Sequence, residues 1–251
     1  MARFRPFLDE HTASATDPLL FGRPVASRYH TLRYCFDHFL STGGRTVVEL
    51  GTIRSFVHGG LPGCNSDDVA YWEPGHPESW DWGAGCFSLL AAMCLSEVGP
   101  EIHTVDLVAT HIERCKVVTS AYKHLFQYHI SSSVEFLRRM EPGSVDLLYL
   151  DTGDMWPIEP TALNQLQEVK VLCKRRLLSP RGLVLIDDVR NATPPRMGER
   201  NLLGKAKYSL EYLRSHGFEV VLDEYQVVLA QSTEPTRRSR PPLVWLKGRA
   251  P

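Results

Sequence analysis

The sequence predicts an α/β fold in which a mostly parallel sheet carries helices on both faces, and three observations predict it. Short apolar runs ending in glycine or aspartate (TVVELG, IHTVDL, SVDLLYLD, LVLIDD) alternate with longer stretches whose apolar residues recur every three to four positions. Strands that alternate with helices imply parallel neighbours joined by right-handed crossovers. The acids also gather at the ends of the apolar runs, where a sheet of this kind binds its ligand.

Composition narrows the classes. The chain has 251 residues, 43% hydrophobic and 23% charged, with a net charge of −1, which suits a single globular domain over 1–251. Without a basic excess, a nucleic-acid or anionic-membrane partner is not expected. Arg237, Arg238 and Arg240 form a local basic run that reads as a solvated loop. The six cysteines show no CxxC spacing, which fits a reducing compartment rather than a zinc site or disulfide framework. The opening MARFRPFLDEHTAS has no apolar core, and no apolar run approaches ~18 residues, so the expectation is a cytoplasmic protein.

The elements follow in order. After a polar leader, residues 26–40 space Leu32, Cys35, Phe36 and Phe39 as a helix, which Gly43 and Gly44 stop. Residues 46–51 form a buried strand ending in glycine. Residues 53–82, rich in Gly, Pro, Trp, Asp and His, have no period and read as an inserted, lid-like loop. Gly85 opens an apolar helix over 87–95. Then come a strand at 102–107, a helix at about 110–124, a strand at 126–130 and a short helix at 134–140. The clearest buried strand is 144–151; a helix over 159–176 follows, SPRG turns the chain, and 183–188 is the next strand. Residues 202–216 read as a helix stopped by Gly217. FEVVLDEYQVVLAQ and PLVWLKG are both β-rich, and either can supply the last two strands.

Chemistry concentrates at the strand ends. Asp106, Asp151 and the pair Asp187–Asp188 close three strands, and Glu49 lies two residues before Gly51. Packing gives no reason to collect like charges on one rim, so they need a cation or polar ligand to offset their repulsion. Gly51 permits close backbone approach, Gly83 and Gly85 repeat this at a helix mouth, and Asp106 follows Gly85 by 21 residues. An acid about 20 residues beyond a glycine turn is where nucleotide-binding α/β folds hold ribose hydroxyls.

On VVELGT, HTVDL, SVDLLYLD and GLVLIDD, over roughly 45–230, the sequence resembles the class I S-adenosylmethionine-dependent methyltransferases. The resemblance implies a Rossmann-like, seven-stranded sheet. It also implies that Gly51, Thr52, Gly85 and Ser88 line the methionine and ribose side, that Asp106 takes the ribose hydroxyls, and that Ser132 or Ser133 sits near the adenine. Glu49 would support the glycine turn from beneath, and Asp151 would stand at the cofactor's edge. The insertion between Thr52 and Gly85 departs from the family pattern.

Adjacent parallel strands lie about 4.8 Å apart, so Asp151, Asp187 and Asp188 can share one ion, Mg²⁺ or Ca²⁺ by their hard oxygen donors, with Mn²⁺ also suited. That pattern is similar to the metal-dependent O-methyltransferases of the catechol and macrolide-sugar types, in which an ion binds the substrate hydroxyls. The bland reading of Asp187–Asp188 is a turn capped by its own side chains. The catechol type carries a lysine three residues after its first metal aspartate; here that position is Asp154, which can take the proton, ligate the ion or cap the next helix. His58 and His76 are the other candidate bases. Tyr71, Trp72, Trp80 and Trp82 either close over a flat substrate or pack the loop onto the domain.

These readings add up to methyl transfer from S-adenosylmethionine to a hydroxyl of a small metabolite (a phenol, a sugar or a natural product) with Mg²⁺ assisting. Nitrogen or carbon methylation, a non-methylating use of the sulfonium, a NAD-type dehydrogenase and a silent nucleotide-binding or regulatory protein remain alternatives. Against the dehydrogenase, this sequence lacks the contiguous GxGxxG of that class. Oligomeric state is open.

Overall fold

The computed structural model describes residues 1–9, 27–57, 68–83, 86–154, 157–189 and 204–232. Its sheet has seven strands: β1 (Thr46–Leu50), β2 (Glu101–Asp106), β3 (Phe126–Ile130), β4 (Val145–Leu150), β5 (Leu178–Ile186), β6 (Phe218–Asp223) and β7 (Val227–Gln231). They lie in the order β3-β2-β1-β4-β5-β7-β6. The first five run parallel, while β7 pairs antiparallel with both β5 and β6. FEVVLDEYQVVLAQ therefore supplies both closing strands as a hairpin; PLVWLKG lies outside the described residues.

The helices are α1 (Arg5–Asp9), α2 (Arg28–Thr42), α3 (Phe87–Leu95), α4 (Ala109–Val118), α5 (Ser133–Arg139), α6 (Ile158–Arg175) and α7 (Ser209–Ser215). Strand side chains alternate between faces. Val47, Ile102, Leu147, Tyr149 and Leu185 pack with Phe36, Phe39, Phe87 and Leu90 of α2 and α3. Val48, Leu50, Leu148, Leu150, Val184 and Ile186 pack on the other face with Phe136, Val169, Leu172 and Leu213 of α5, α6 and α7. Both faces of the central strands are thus buried, which is why those strands read as unbroken apolar runs.

Three local features differ from the sequence reading. SPRG does not turn the chain: it lies within β5 as a bulge, where Leu178 pairs with Val145 but Leu183 already pairs with Leu147. Pro180 has no N–H to give the ladder, so the extra residues are accommodated outside it. The helix expected to reach 124 ends at Val118, and a 3-10 segment, Ser120–Leu125, completes the connection. The helix expected over 202–216 divides into a 3-10 turn, Gly204–Ala206, and α7.

The aromatics of the insertion after β1 join the core on the α2–α3 face of the sheet. Trp80 and Trp82 are 3% and 6% exposed and stack on one another at 5.4 Å. Trp72 stacks on Trp80, and Phe7 of α1 lies flat on Trp82 at 5.2 Å. Their indole N–H groups donate to the carbonyls of Glu73 and Pro77. For Trp72, Trp80 and Trp82 the described geometry is that of packing, while Tyr71 is exposed.

Candidate functional site

The order of strands reverses between β1 and β4, and beyond their carboxyl ends lies a cavity of about 360 Å³. Ladder bonds run on past the strands to shape it: Gly51 N–H donates to Val105 O (2.8 Å), Asp151 N–H to Leu50 O (2.9 Å) and Asp187 N–H to Leu150 O (3.1 Å). Gly51 has φ +84°, and a Cβ there would stand 2.5 Å from the Asp151 carbonyl oxygen. The glycine is therefore required by the approach of the neighbouring strand as well as by its own backbone.

One half of the cavity is built from the ends of β1, β2 and β3. Gly51, Thr52, Asp106, Ser132 and Ser133 line it, as do Gly83, Leu107, Val108 and His111. Asp106 accepts from Thr52 N–H (3.1 Å) and Val108 N–H (2.8 Å), and lies 3.2 Å from His111 Nδ1. A carboxylate offers about four lone-pair positions, so this one can still accept from a ligand. Thr52 Oγ1 is buried and makes no well-formed hydrogen bond, although it lies near enough to Glu49 to favour that carboxylate's charge. Leu107 is 71% exposed, an apolar wall beside the acid.

Glu49 and Ser88 do not line the cavity. Glu49 is fully buried beneath it and accepts from Thr104 Oγ (2.6 Å), Ser88 N–H (3.3 Å) and Ser88 Oγ, pinning α3 to β1 and β2. Burial pushes its pKa up to about 7 against the opposing effect of those donors. Ser133 lines the cavity but turns its hydroxyl to Glu168 of α6, and Thr152 Oγ and Asn164 Nδ2 donate to the same oxygen. Gly85 and His58 lie outside the described residues. His76 is exposed, pairs with Glu73 and Glu78, and does not reach the cavity.

The other half holds the acids of β4 and β5. Asp151, Asp187 and Asp188 present oxygens within 4.8 Å of one another. Two cations that the sequence reading missed stand among them. Arg28, the first residue of α2, donates from Nε and Nη2 to Asp187 (3.2 and 2.8 Å), from Nη2 to Asp188 (3.2 Å) and from Nη1 to Trp82 O (2.9 Å). Ser27 caps that helix through Tyr29 N–H and so sets where Arg28 points. Lys205 Nζ lies 2.6 Å from Asp151 Oδ1 and 3.0 Å from Asp188 Oδ2. Tyr149 and Gln226 also donate to Asp187, at 2.6 and 3.0 Å, and Tyr225 donates to Asp188 at 2.6 Å.

These neighbours split the acids. Burial works to raise Asp188, but Lys205 and Arg28 override it and hold the group well below the usual carboxylate range. Burial and the charges of Asp187 and Asp188 lift Asp151 to about 6 despite Lys205. Asp151 and Asp188 line the cavity, whereas Asp187 lies behind it at 1% exposure. Asp154 lines the rim, is 63% exposed and pairs with Arg54. Arg28 and Lys205 left little trace in the sequence: one stands at a capped helix start, the other follows the unpatterned stretch 190–201.

No known family model matches the chain, and no curated protein does. Solved structures do. A protein from Corynebacterium glutamicum superposes with a TM-score of 0.55 at 13% identity over 94% of this chain and 98% of that one. Cofactor-bound Rv0187 from MTB gives 0.55 at 15% over 92% and 96%. The S-adenosylhomocysteine-bound methyltransferase PaMTH1 of Podospora anserina gives 0.53 at 14% over 81% and 78%. With its seven-stranded order, switch-point cavity and these neighbours, the chain has the fold of the class I S-adenosylmethionine-dependent methyltransferases.

Proposed function

We propose that the protein transfers the methyl group of S-adenosylmethionine to a hydroxyl of a small molecule. The observation that carries this reading is Asp106 at the end of β2, facing the cavity beside the Gly51–Thr52 turn. The residues fit the cofactor. The cavity's volume falls within the roughly 300–1,000 Å³ of small-molecule sites. Asp106 has lone pairs left for a ribose diol, and Leu107 offers apolar surface to a base. Thr52, Ser132 and Ser133 would complete the cofactor's surroundings, with Glu49 and Ser88 holding the turn from beneath. When bound, the cofactor supplies an electrophilic methyl carbon on a sulfonium.

The acceptor half favours a neutral hydroxyl. An ammonium carries three donors, and Lys205 uses two on Asp151 and Asp188, which leaves one for an acceptor oxygen. Among the described residues Asp151 Oδ2 has only a long 3.5 Å contact from Tyr149, so it can receive the proton that the hydroxyl must lose. A carboxyl group lifted to about 6 is suited to that exchange near neutral pH. A carboxylate acceptor would meet three acids balanced by two cations, and an aliphatic amine would enter already protonated. Asp154, exposed and paired with Arg54, can take the proton onward to water.

Although the three acids are close enough to share Mg²⁺, their donor atoms do not fit one. Asp187 already accepts from Arg28, Tyr149, Gln226 and the Asp188 N–H, and Asp188 from Arg28, Tyr225 and Lys205.

Calorimetric titration with S-adenosylhomocysteine tests the cofactor. Micromolar binding that Asp106→Ala abolishes, in a variant whose circular dichroism is unchanged, is the expected result. Wild-type protein that takes up NAD and not S-adenosylhomocysteine would replace this reading with the dehydrogenase one.

A further inference from the structure

We infer that Lys205, which shares Asp188 with Arg28, is the built-in cation of the acceptor site and keeps divalent ions out of it. The inference rests on the acceptor half described above and concerns what neutralises it. An ion shared by Asp151 and Asp188 would stand about 2.1 Å from an oxygen of each. Lys205 Nζ already stands 2.6 and 3.0 Å from those same two carboxylates, so the ion and the ammonium compete for one place. Asp187, the third acid, is turned to Arg28 through both its oxygens, at 3.2 and 2.8 Å. For that oxygen pair to ligate an ion, a buried guanidinium would have to lose its counter-charge.

The lysine is not a surface chain that happens to reach inward. It is 3% exposed, and the Gly204–Ala206 turn that carries it is docked on the Asp188 backbone. Gly204 has φ +46°, and a Cβ there would lie 1.7 Å from Asp188 O, so only glycine fits at this junction. Lys205 N–H donates to the same carbonyl at 3.4 Å. Asp188 itself adopts φ +52°, a left-handed conformation that aspartate tolerates better than most residues. Turn and acid are thus shaped for one another, and the ammonium position follows from backbone packing as well as from charge.

A divalent ion can chelate two neighbouring hydroxyls at once, whereas an ammonium with one remaining N–H can hold one. The site therefore selects for a single positioned hydroxyl rather than a chelating diol.

The test is Mn²⁺ titration of the full-length protein, read by the loss of the free-ion electron paramagnetic resonance signal. Wild type is expected to bind Mn²⁺ no more tightly than about 1 mM. Lys205→Met, which keeps the stem and removes the charge, is expected to bind one Mn²⁺ at least about tenfold more tightly. Lys205→Gln serves if the methionine variant does not fold. Stoichiometric Mn²⁺ binding by wild type overturns the inference, and so does equal, weak binding by wild type and the folded variant, since Lys205 would then not be what keeps the ion out. S-adenosylhomocysteine titration of the same samples reads the cofactor separately, because the ion site serves the acceptor half.

Discussion

Arg28 and Asp187, 159 positions apart in sequence, are joined by two donor–acceptor contacts, Nε to Oδ1 at 3.2 Å and Nη2 to Oδ2 at 2.8 Å. The pair ties the first residue of α2 to the carboxyl end of β5, and both partners are buried. It therefore couples the N-terminal layer of the molecule to the floor of the site. Tyr225 stacks beneath the guanidinium at 4.9 Å and donates to Asp188, which extends the network to the β6–β7 hairpin.

Removing one partner of such a pair leaves a buried charge without compensation. Arg28→Met is expected to destabilise the fold by about 3–5 kcal/mol, or roughly 6–20 °C in Tm. Thermal unfolding followed by circular dichroism at pH 7 checks it. A Tm within a degree or two of wild type would mean that solvent reaches Asp187 once the arginine is gone.

Glu49 links stability to pH. Its pKa is raised in the fold, to about 7 from 4.5, so between those values the folded state holds more protons than the unfolded one. Its contribution is complete below pH 4.5 and falls as pH rises to about 7, by an amount on the order of 3 kcal/mol. Glu49→Gln should flatten the fall in denaturant midpoint between pH 5 and 8 relative to wild type. Asp151, raised to about 6, acts with the same sign and its charge helps raise Glu49, so the difference between the two proteins reads Glu49 together with that coupling. Parallel curves would show that Glu49 stays ionised throughout.

Gly51 combines φ +84° with a neighbour 2.5 Å from any added Cβ. Gly51→Ala must move the ends of β1 and β4 apart. A loss of about 1–3 kcal/mol from the backbone alone is expected in chemical unfolding, with weakened S-adenosylhomocysteine binding, because the turn beside Thr52 shifts. Unchanged affinity together with lower stability would place the cofactor away from this turn.

Trp82 distinguishes packing from substrate closure. Stacked on Phe7 and Trp80 and outside the cavity lining, it should act on stability: Trp82→Ala is expected to lose about 3–5 kcal/mol while leaving S-adenosylhomocysteine affinity within a few-fold. The reverse pattern, a stable protein with impaired ligand binding, would restore the lid reading.

What could be read from the sequence was what periodicity and local chemistry encode. Strands such as SVDLLYLD are apolar on both faces because both faces are covered, and their acidic ends mark the rim where ligands bind. Gly51, Asp106 and Asp151 stand at such strand ends and line the cavity; Thr52, Ser132 and Ser133, which only the family resemblance singles out, line it too. The bulge at Pro180 was not legible, since a proline two residues before a glycine has the same local signature in a turn and in an interrupted ladder. Nor was the division of labour among the acids. Whether three carboxylates hold an ion or two internal cations depends on which side chains arrive from α2 and from the turn at Gly204, and neither Arg28 nor Lys205 lies near its partners in the chain or follows a period. A charge buried between elements is set by how those elements pack, and only the tertiary structure decides that.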